Sequence, residues 1–259
     1  MELLFLGTGA ADWLPPGPTV GNHRRHCSLL LNQQILLDCN AMTLDALQEF
    51  AVDCSRISHI VIGHSHRDHF DFDSICTLAR QPRSTALTLH LEAGSAQKFP
   101  LPDGLSGRLQ LQPFTPGEEF TAGAWQFLPD AANHPMTDPQ EQAVHFLLRD
   151  PDGKTLLYLL DGGWPPEKTC LRWQHTRLDV IIWELTLGLK SDFRIFSHCN
   201  VKMLEILENA FRQRGMIDAN TLQLCSHLAR TLCPPHQELQ QQLQPYPFQP
   251  AYDGMKISC

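Results

Sequence analysis

"GHSHRDHFDFDS", residues 63–74, sets three histidines and an aspartate within six positions, directly after the apolar run "ISHIVIG" (57–63). In a chain with 13 His, the order His, any, His, any, Asp, His would arise in about 2 of 1,000 shuffles, so the cluster calls for a physical reason. Imidazole nitrogens and a carboxylate are the donors that zinc and manganese prefer. Spacing of two along an extended turn lets His64 and His66 point the same way, while Asp68 and His69 face a second position. The bland alternative is a satisfied polar turn at the end of a strand.

A metal pair needs more than four ligands, and strand ends elsewhere offer them. His134 closes "LPDAANH", Asp161 closes the very apolar "LLYLLD", and His227 closes "LQLCSH". Singly, such a histidine is an ordinary loop or core residue, and an Asp before Gly-Gly is a turn former. Together they share one topological place, after a strand and before a polar loop.

The rest of the chain supplies the frame. Short apolar runs at 2–7, 27–32, 34–39 and 57–63 read as strands, with a helical spacing at 40–53 between the last two. A second round follows at 86–92, 125–134, 143–150, 155–163, 179–185 and 221–227. The helix predicted at 201–215 carries Met203, Leu204, Ile206, Leu207 and Phe211 as its apolar stripe and Gly215 as its stop. The hairpin 143–160 argues for partly antiparallel sheets, so the predicted α/β architecture is two mixed sheets packed together with helices outside. Residues 14–21, 94–119 and 232–247 read as loops or short helices and 163–177 as a loop, inside a single domain spanning 1–259.

Composition narrows function. The formal charge of −8 and a pI near 5.9 disfavour nucleic acid or an anionic membrane as partner. No stretch nears the ~20 apolar residues of a membrane span, and the start lacks a signal-peptide pattern. Nine cysteines without a CxxC pair read as buried thiols of a cytoplasmic protein.

With these residues in view, the chain resembles the metallo-beta-lactamase superfamily, whose His-x-His-x-Asp-His signature stands here as His64, His66, Asp68 and His69. The resemblance implies a four-layered αββα sandwich and a dinuclear site. In it His64, His66 and His134 hold the first metal, Asp68, His69 and His227 the second, and Asp161 bridges them. Asp38 in "ILLDC" matches an early aspartate that steadies a ligand from behind.

The segments "LFLGTGAADWLPP", "FSHCNVKMLEIL", "CSHLA" and "YDGMKI" further resemble the phosphodiesterases of the carbon-phosphorus lyase pathway of phosphonate breakdown. That likeness implies a small-molecule phosphodiester substrate, cyclic nucleotide and ribose phosphates included. It also implies two divalent cations, Zn2+ or Mn2+, sharing an activated water that attacks phosphorus. His198 then touches the phosphate and serves as general acid, a part that Asp68 can share.

The family's structural zinc is not expected here, because residues 8–26 hold no cysteine and Arg230 stands three residues after His227. Other readings of the same metals are transfer RNA 3′ processing, thiolester or lactam hydrolysis, and a fold retained without turnover. A homodimer stays open. Candidate substrate contacts are Arg24 or Arg25 in "HRRH", Trp13, and Glu184 at the end of "DVIIWE", each with a plain structural alternative.

Overall fold

Strands that are apolar at nearly every position need cover on both faces, and the chain provides it in layers. The computed structural model describes residues 1–14, 23–191 and 193–259. Apart from Leu14, the Pro/Gly-rich loop expected at 14–21 lies outside the described residues.

The first sheet takes β1 (Glu2–Gly7), β2 (Ser28–Leu31), β3 (Ile35–Leu37), β4 (His59–Val61), β5 (Leu87–Glu92) and β6 (Leu109–Phe114) in sequence order. The pairs from β1 to β3 are antiparallel and those from β3 to β6 parallel. The second sheet takes β7 (Phe120–Ala122), β8 (Trp125–Ala131), β9 (Val144–Arg149), β10 (Thr155–Leu159), β11 (Val180–Glu184), β12 (Leu222–Ser226) and β13 (Gln249–Pro250). Its pairs are antiparallel up to β10 and parallel beyond. The last strand, β14 (Lys256–Ser258), returns to pair with β1.

Alternation along each strand sorts the side chains into three cores. Leu29, Leu31, Leu37, Phe146, Leu156 and Ile182 meet between the sheets. Their neighbours Leu30, Leu36 and Ile60 point outward, to Leu47 of α1 (Thr43–Glu49) and Ile75 and Leu78 of α2 (Phe72–Arg80). On the other side, Leu157, Ile181 and Trp183 pack against residues of three helices: Trp173 of α4 (Glu167–Trp173), Leu204 of α5 (Val201–Gln213) and Leu239 of α6 (His236–Leu243). A short α3 (Ala93–Ala96) follows β5. The result is the expected αββα sandwich of two mixed sheets. No helix of the described residues is long and apolar enough to cross a membrane.

Several expectations need correction. The stretch 94–119, expected as loop or short helix, contains β6, and the expected loop 163–177 contains α4. Helix α2 lies where only a metal-binding turn was expected; Asp71 caps it by accepting the Ser74 backbone N–H at 2.9 Å. Ile206 is 57% exposed, so the buried stripe of α5 is Met203, Leu204, Leu207 and Phe211. The nine cysteines form no disulfide, but only five are buried and Cys259 is exposed.

Candidate metal centre

Strands β3, β4, β8, β10, β11 and β12 deliver their C-terminal ends to one edge of the sandwich, and the polar residues just past those ends converge there. Three of them achieve this through left-handed backbone: Asp38 (φ 58°), Asp161 (φ 43°) and His227 (φ 57°). A non-glycine residue pays for that conformation, and here it turns each side chain off the strand line into the cleft. His134 lies three residues beyond β8 rather than at its end.

All seven expected ligands meet in two groups with one shared member. His64, His66, His134 and Asp161 form the first, and Asp68, His69, Asp161 and His227 the second. Within the first, His66 Nδ1 is 3.0 Å from His64 Nε2 and 3.1 Å from His134 Nε2; Asp161 Oδ2 is 3.1 Å and 3.8 Å from those two Nε2 atoms. Within the second, His69 Nε2 is 3.2 Å from His227 Nε2, 3.4 Å from Asp68 Oδ2 and 2.9 Å from Asp161 Oδ2. His227 Nε2 is 3.3 Å from Asp68 Oδ2 and 2.9 Å from Asp161 Oδ1.

These separations answer whether the residues fit metal. Four ligands at 2.0–2.1 Å from a tetrahedral zinc stand about 3.3 Å from each other; the separations above bracket that value, and all candidate ligand atoms of each group lie within 4.8 Å of one another. Asp161 Oδ1 is buried and makes no well-aligned hydrogen bond although His227 Nε2 is 2.9 Å away. Lone pairs aimed at a common point are what a cation site requires.

Partners behind the ligands set the imidazole tautomers. His69 Nδ1 donates to Asp38 Oδ2 at 2.9 Å, and Asp38 also accepts the Gly63 N–H at 3.0 Å and the Tyr158 hydroxyl at 3.2 Å. His227 Nδ1 donates to Thr186 Oγ1 at 2.7 Å. With the ring neutral, as a metal requires, each arrangement leaves the Nε2 lone pair facing the cleft. Burial holds His134 down to about 3, and burial with the charge of His64 lowers His66. Burial also works against charge on His69 and His227, but the surrounding carboxylates, Asp68 foremost for His69 and Asp161 for His227, outweigh it and raise both well above the usual range. Asp161 is likewise desolvated, yet His227 and His69 keep its carboxyl well below the ordinary value.

His198 sits just before α5. Its Nδ1 donates to Glu184 Oε1 at 2.7 Å, and Glu184 also accepts the Cys199 N–H and the Thr186 hydroxyl. Burial opposes an imidazolium at His198, but Glu184, then Asp161, raise its pKa above the ordinary value. Glu184 therefore touches a catalytic candidate from behind and reaches the second ligand group through Thr186.

A cleft of about 340 Å³ opens over the two candidate ligand groups, lined among others by Asp12, Pro135, Arg194, Ser197, His198 and Thr231. Arg194 is the one Arg or Lys among its described lining residues, and no sequence pattern singled it out. The expected basic contacts lie elsewhere. Arg24 is buried against Thr8, the Ala251 carbonyl and His236, and Arg25 pairs with Glu49. Trp13 donates to the Leu228 carbonyl at 2.7 Å and does not line the cleft.

Solved structures share this arrangement of layers end to end. YhfI of Bacillus subtilis, described as a metallo-beta-lactamase fold protein, matches at a TM-score of 0.73 over 99% of both chains with 16% identity. The chain has the metallo-beta-lactamase fold. A diphosphatase of the PhnP family matches at 0.72, with 16% identity over 99% of this chain and 96% of that one. The short form of human tRNase Z matches at 0.70, with 19% identity over 100% and 99%. By sequence, a ribonuclease Z of Bradyrhizobium sp. (strain ORS 278) is 29% identical over 156 residues, 53% of this chain. The chain spans about half the length of that curated relative, 47%. No protein-family model matches the chain.

Proposed function

We propose that residues 1–259 form one metal-dependent hydrolase domain acting on small phosphodiesters, cyclic ones included. His64, His66 and His134 hold one divalent cation, zinc or manganese, and Asp68, His69 and His227 hold the other, with Asp161 shared. The observation that carries this reading is the convergence of the candidate ligand atoms, which within each group all lie within 4.8 Å of one another. Bound there, two cations supply an acidified water and neutralise phosphoryl oxygens.

The chain's own residues do the rest. Asp161 and Asp68 bring negative charge to the floor of the cleft and keep His69 and His227 oriented. Asp38 fixes the His69 ring through Nδ1, and Thr186 does the same for His227. His198, held by Glu184 at Nδ1, presents Nε2 to donate a proton to the departing oxygen. Arg194 on the cleft wall counters charge on the phosphate. Asp12 accepts from the Arg230 N–H at 2.7 Å and from the Thr231 N–H at 2.9 Å and hydroxyl at 2.7 Å. This clamp ties the first loop to the segment after His227, and we assign no third, structural zinc. Cytoplasmic placement fits nine unbridged thiols.

RNA is the second reading, favoured by the ribonuclease Z match and opposed by the charge of −8. The test is a substrate panel on metal-loaded protein. Nitrophenyl phosphodiesters and 2′,3′-cyclic nucleotides should turn over far faster than phosphomonoesters, lactams or thiolesters. Thiolester or lactam turnover exceeding diester turnover by orders of magnitude would sink the assignment.

A further inference from the structure

The two ligand groups are supported unequally. Behind the second stand Asp38, which takes the Nδ1–H of His69, and Thr186, which takes that of His227. Behind His64, His66 and His134 no carboxylate of the described residues plays that part, and the acid within ion-pair distance of His64 and His134 is the shared Asp161. Support for this group comes instead through the chain between its members. Ser65 lies between His64 and His66, and its hydroxyl donates to Glu141 Oε2 at 2.7 Å. Glu141 is buried on the segment that runs from His134 to β9, and its Oε1 lies 3.1 Å from Lys98 Nζ. Lys98, just after α3, also meets Asp138 Oδ2 at 2.6 Å. The same two segments touch through backbone, since a Cβ on Gly94 would lie 2.0 Å from the Gln140 carbonyl oxygen. Ser65, His66, Lys98, Asp138 and Glu141 line one groove.

Resting on the two-cation reading, we propose that Glu141, locked by Lys98, is a positioning residue for the first cation. One carboxylate joins the turn that carries His64 and His66 to the segment that carries His134, so the three imidazoles share one aim. A buried carboxylate stays charged only when it is paired, and here the ammonium supplies the countercharge while the Ser65 hydroxyl occupies the second oxygen. A hydrogen bond to an ionised acceptor is roughly twice as strong as a neutral one, so the turn is held more firmly than by a plain loop contact. Because the bond ends on Ser65 and not on a ring, it restrains the backbone between two ligands and fixes both together. His69 follows in the same segment but is anchored apart from this link: its ring donates to Asp38 at 2.9 Å and its carbonyl accepts the Cys39 N–H at 2.8 Å. The effect of Glu141 is therefore local to the first position.

The test uses the full chain, stripped of metal and titrated with zinc against a competing chelator. The parent should bind two zinc ions. Ser65→Ala and Glu141→Ala should each weaken the first position by roughly tenfold or more, as loss of a group behind a metal ligand does, and leave the second within about twofold of the parent. Anomalous peaks from crystals grown at limiting zinc assign the positions: the peak beside His64, His66 and His134 should fade while that beside Asp68, His69 and His227 stays. The double variant should bind no worse than Glu141→Ala alone, since both changes break one link. Glu141→Gln should recover part of the loss, because its amide oxygen still accepts the Ser65 hydroxyl. Asp138→Asn, which leaves Ser65, Glu141 and Lys98 in place, should bind zinc like the parent.

Thermal melts of the metal-free variants separate this role from that of a plain loop staple. Lower melting with both zinc affinities unchanged overturns the inference, as do equal losses at the two positions or losses that add in the double variant. Where Glu141→Ala fails to fold, Ser65→Ala, the loss of one half-buried hydroxyl, decides the matter by itself. A parent that holds two zinc ions yet turns over no diester defeats the hydrolase reading alone, and selective loss of the first ion in the variants then still supports the positioning role. A parent that holds no zinc defeats both.

Discussion

Replacing Glu184 by Gln should separate proton donation from metal binding. The carboxylate is fully buried and accepts from the His198 Nδ1–H at 2.7 Å, the Thr186 hydroxyl and the Cys199 N–H. All three partners are donors here, so a Gln amide must aim its NH2 at a donor whichever way it is turned. A hydrogen bond to a charged group contributes about 1.5–3 kcal/mol against about 0.5–1.5 for a neutral one. The exchange therefore weakens the hold on His198 by about 1–2 kcal/mol, roughly 5- to 30-fold in the fraction of properly poised acid. A diester with an alkyl alcohol leaving group should slow by about that factor. A nitrophenyl diester, whose leaving group hardly needs a proton, should slow by less than about threefold. Both metals should stay bound. Steady-state kinetics on the two substrates, with metal content measured in parallel, decides it: equal slowing of both substrates, or loss of a metal, would refute the role given to the pair.

Other consequences are equally open to measurement. Asp38→Asn should weaken binding at the second metal position by roughly 10- to 100-fold, read by chelator competition, because His69 loses its orienting carboxylate. His198→Ala should keep both metals and slow alkyl diesters far more than nitrophenyl ones. Buried His90, pushed down to about 3 by desolvation and by His59, is neutral when folded but protonates below about 6.5 when unfolded. Its depressed value makes stability full above about pH 6.5 and progressively lost as pH falls toward 3. Urea melts at pH 7 and pH 5 should differ by about 2 kcal/mol less in His90→Leu than in the parent.

Much of the centre was legible because its chemistry is written in residue types that serve little else at strand ends. His64, His66, Asp68 and His69 stand in one unbroken cluster, and Asp161 closes a run too apolar to need an acid. The fold was legible for a related reason: strands such as "SLLL" and "VIIWE" are buried on both faces, which only a layered sandwich allows. Strand β6 escaped notice because "LQLQPF" is an edge strand that carries Pro113 and exposes half its residues. Helix α2 was hidden by the metal motif, whose polar tail supplies its cap.

At Asp38, Asp161 and His227 the left-handed residue is the functional side chain itself and not a glycine, so the sequence does not announce it. Arg24 and Arg25 misled in the opposite direction. Adjacent charges suggest solvent, but they are buried where the first loop passes beneath the C-terminal segment, and Arg25 N–H donates to Asp253 at 2.6 Å. Arg194 sits in "SDFRIFSH", where nothing local marks it; only the folded cleft does.

The central claim is that seven side chains hold two cations around one shared aspartate. Anomalous scattering from crystals of protein purified without chelator, together with elemental analysis, addresses it directly. Two peaks about 3.5 Å apart are expected, one within ligand distance of His64, His66 and His134, the other of Asp68, His69 and His227, both touching Asp161. A single ion, none at saturating supply, or ions bound elsewhere would contradict it.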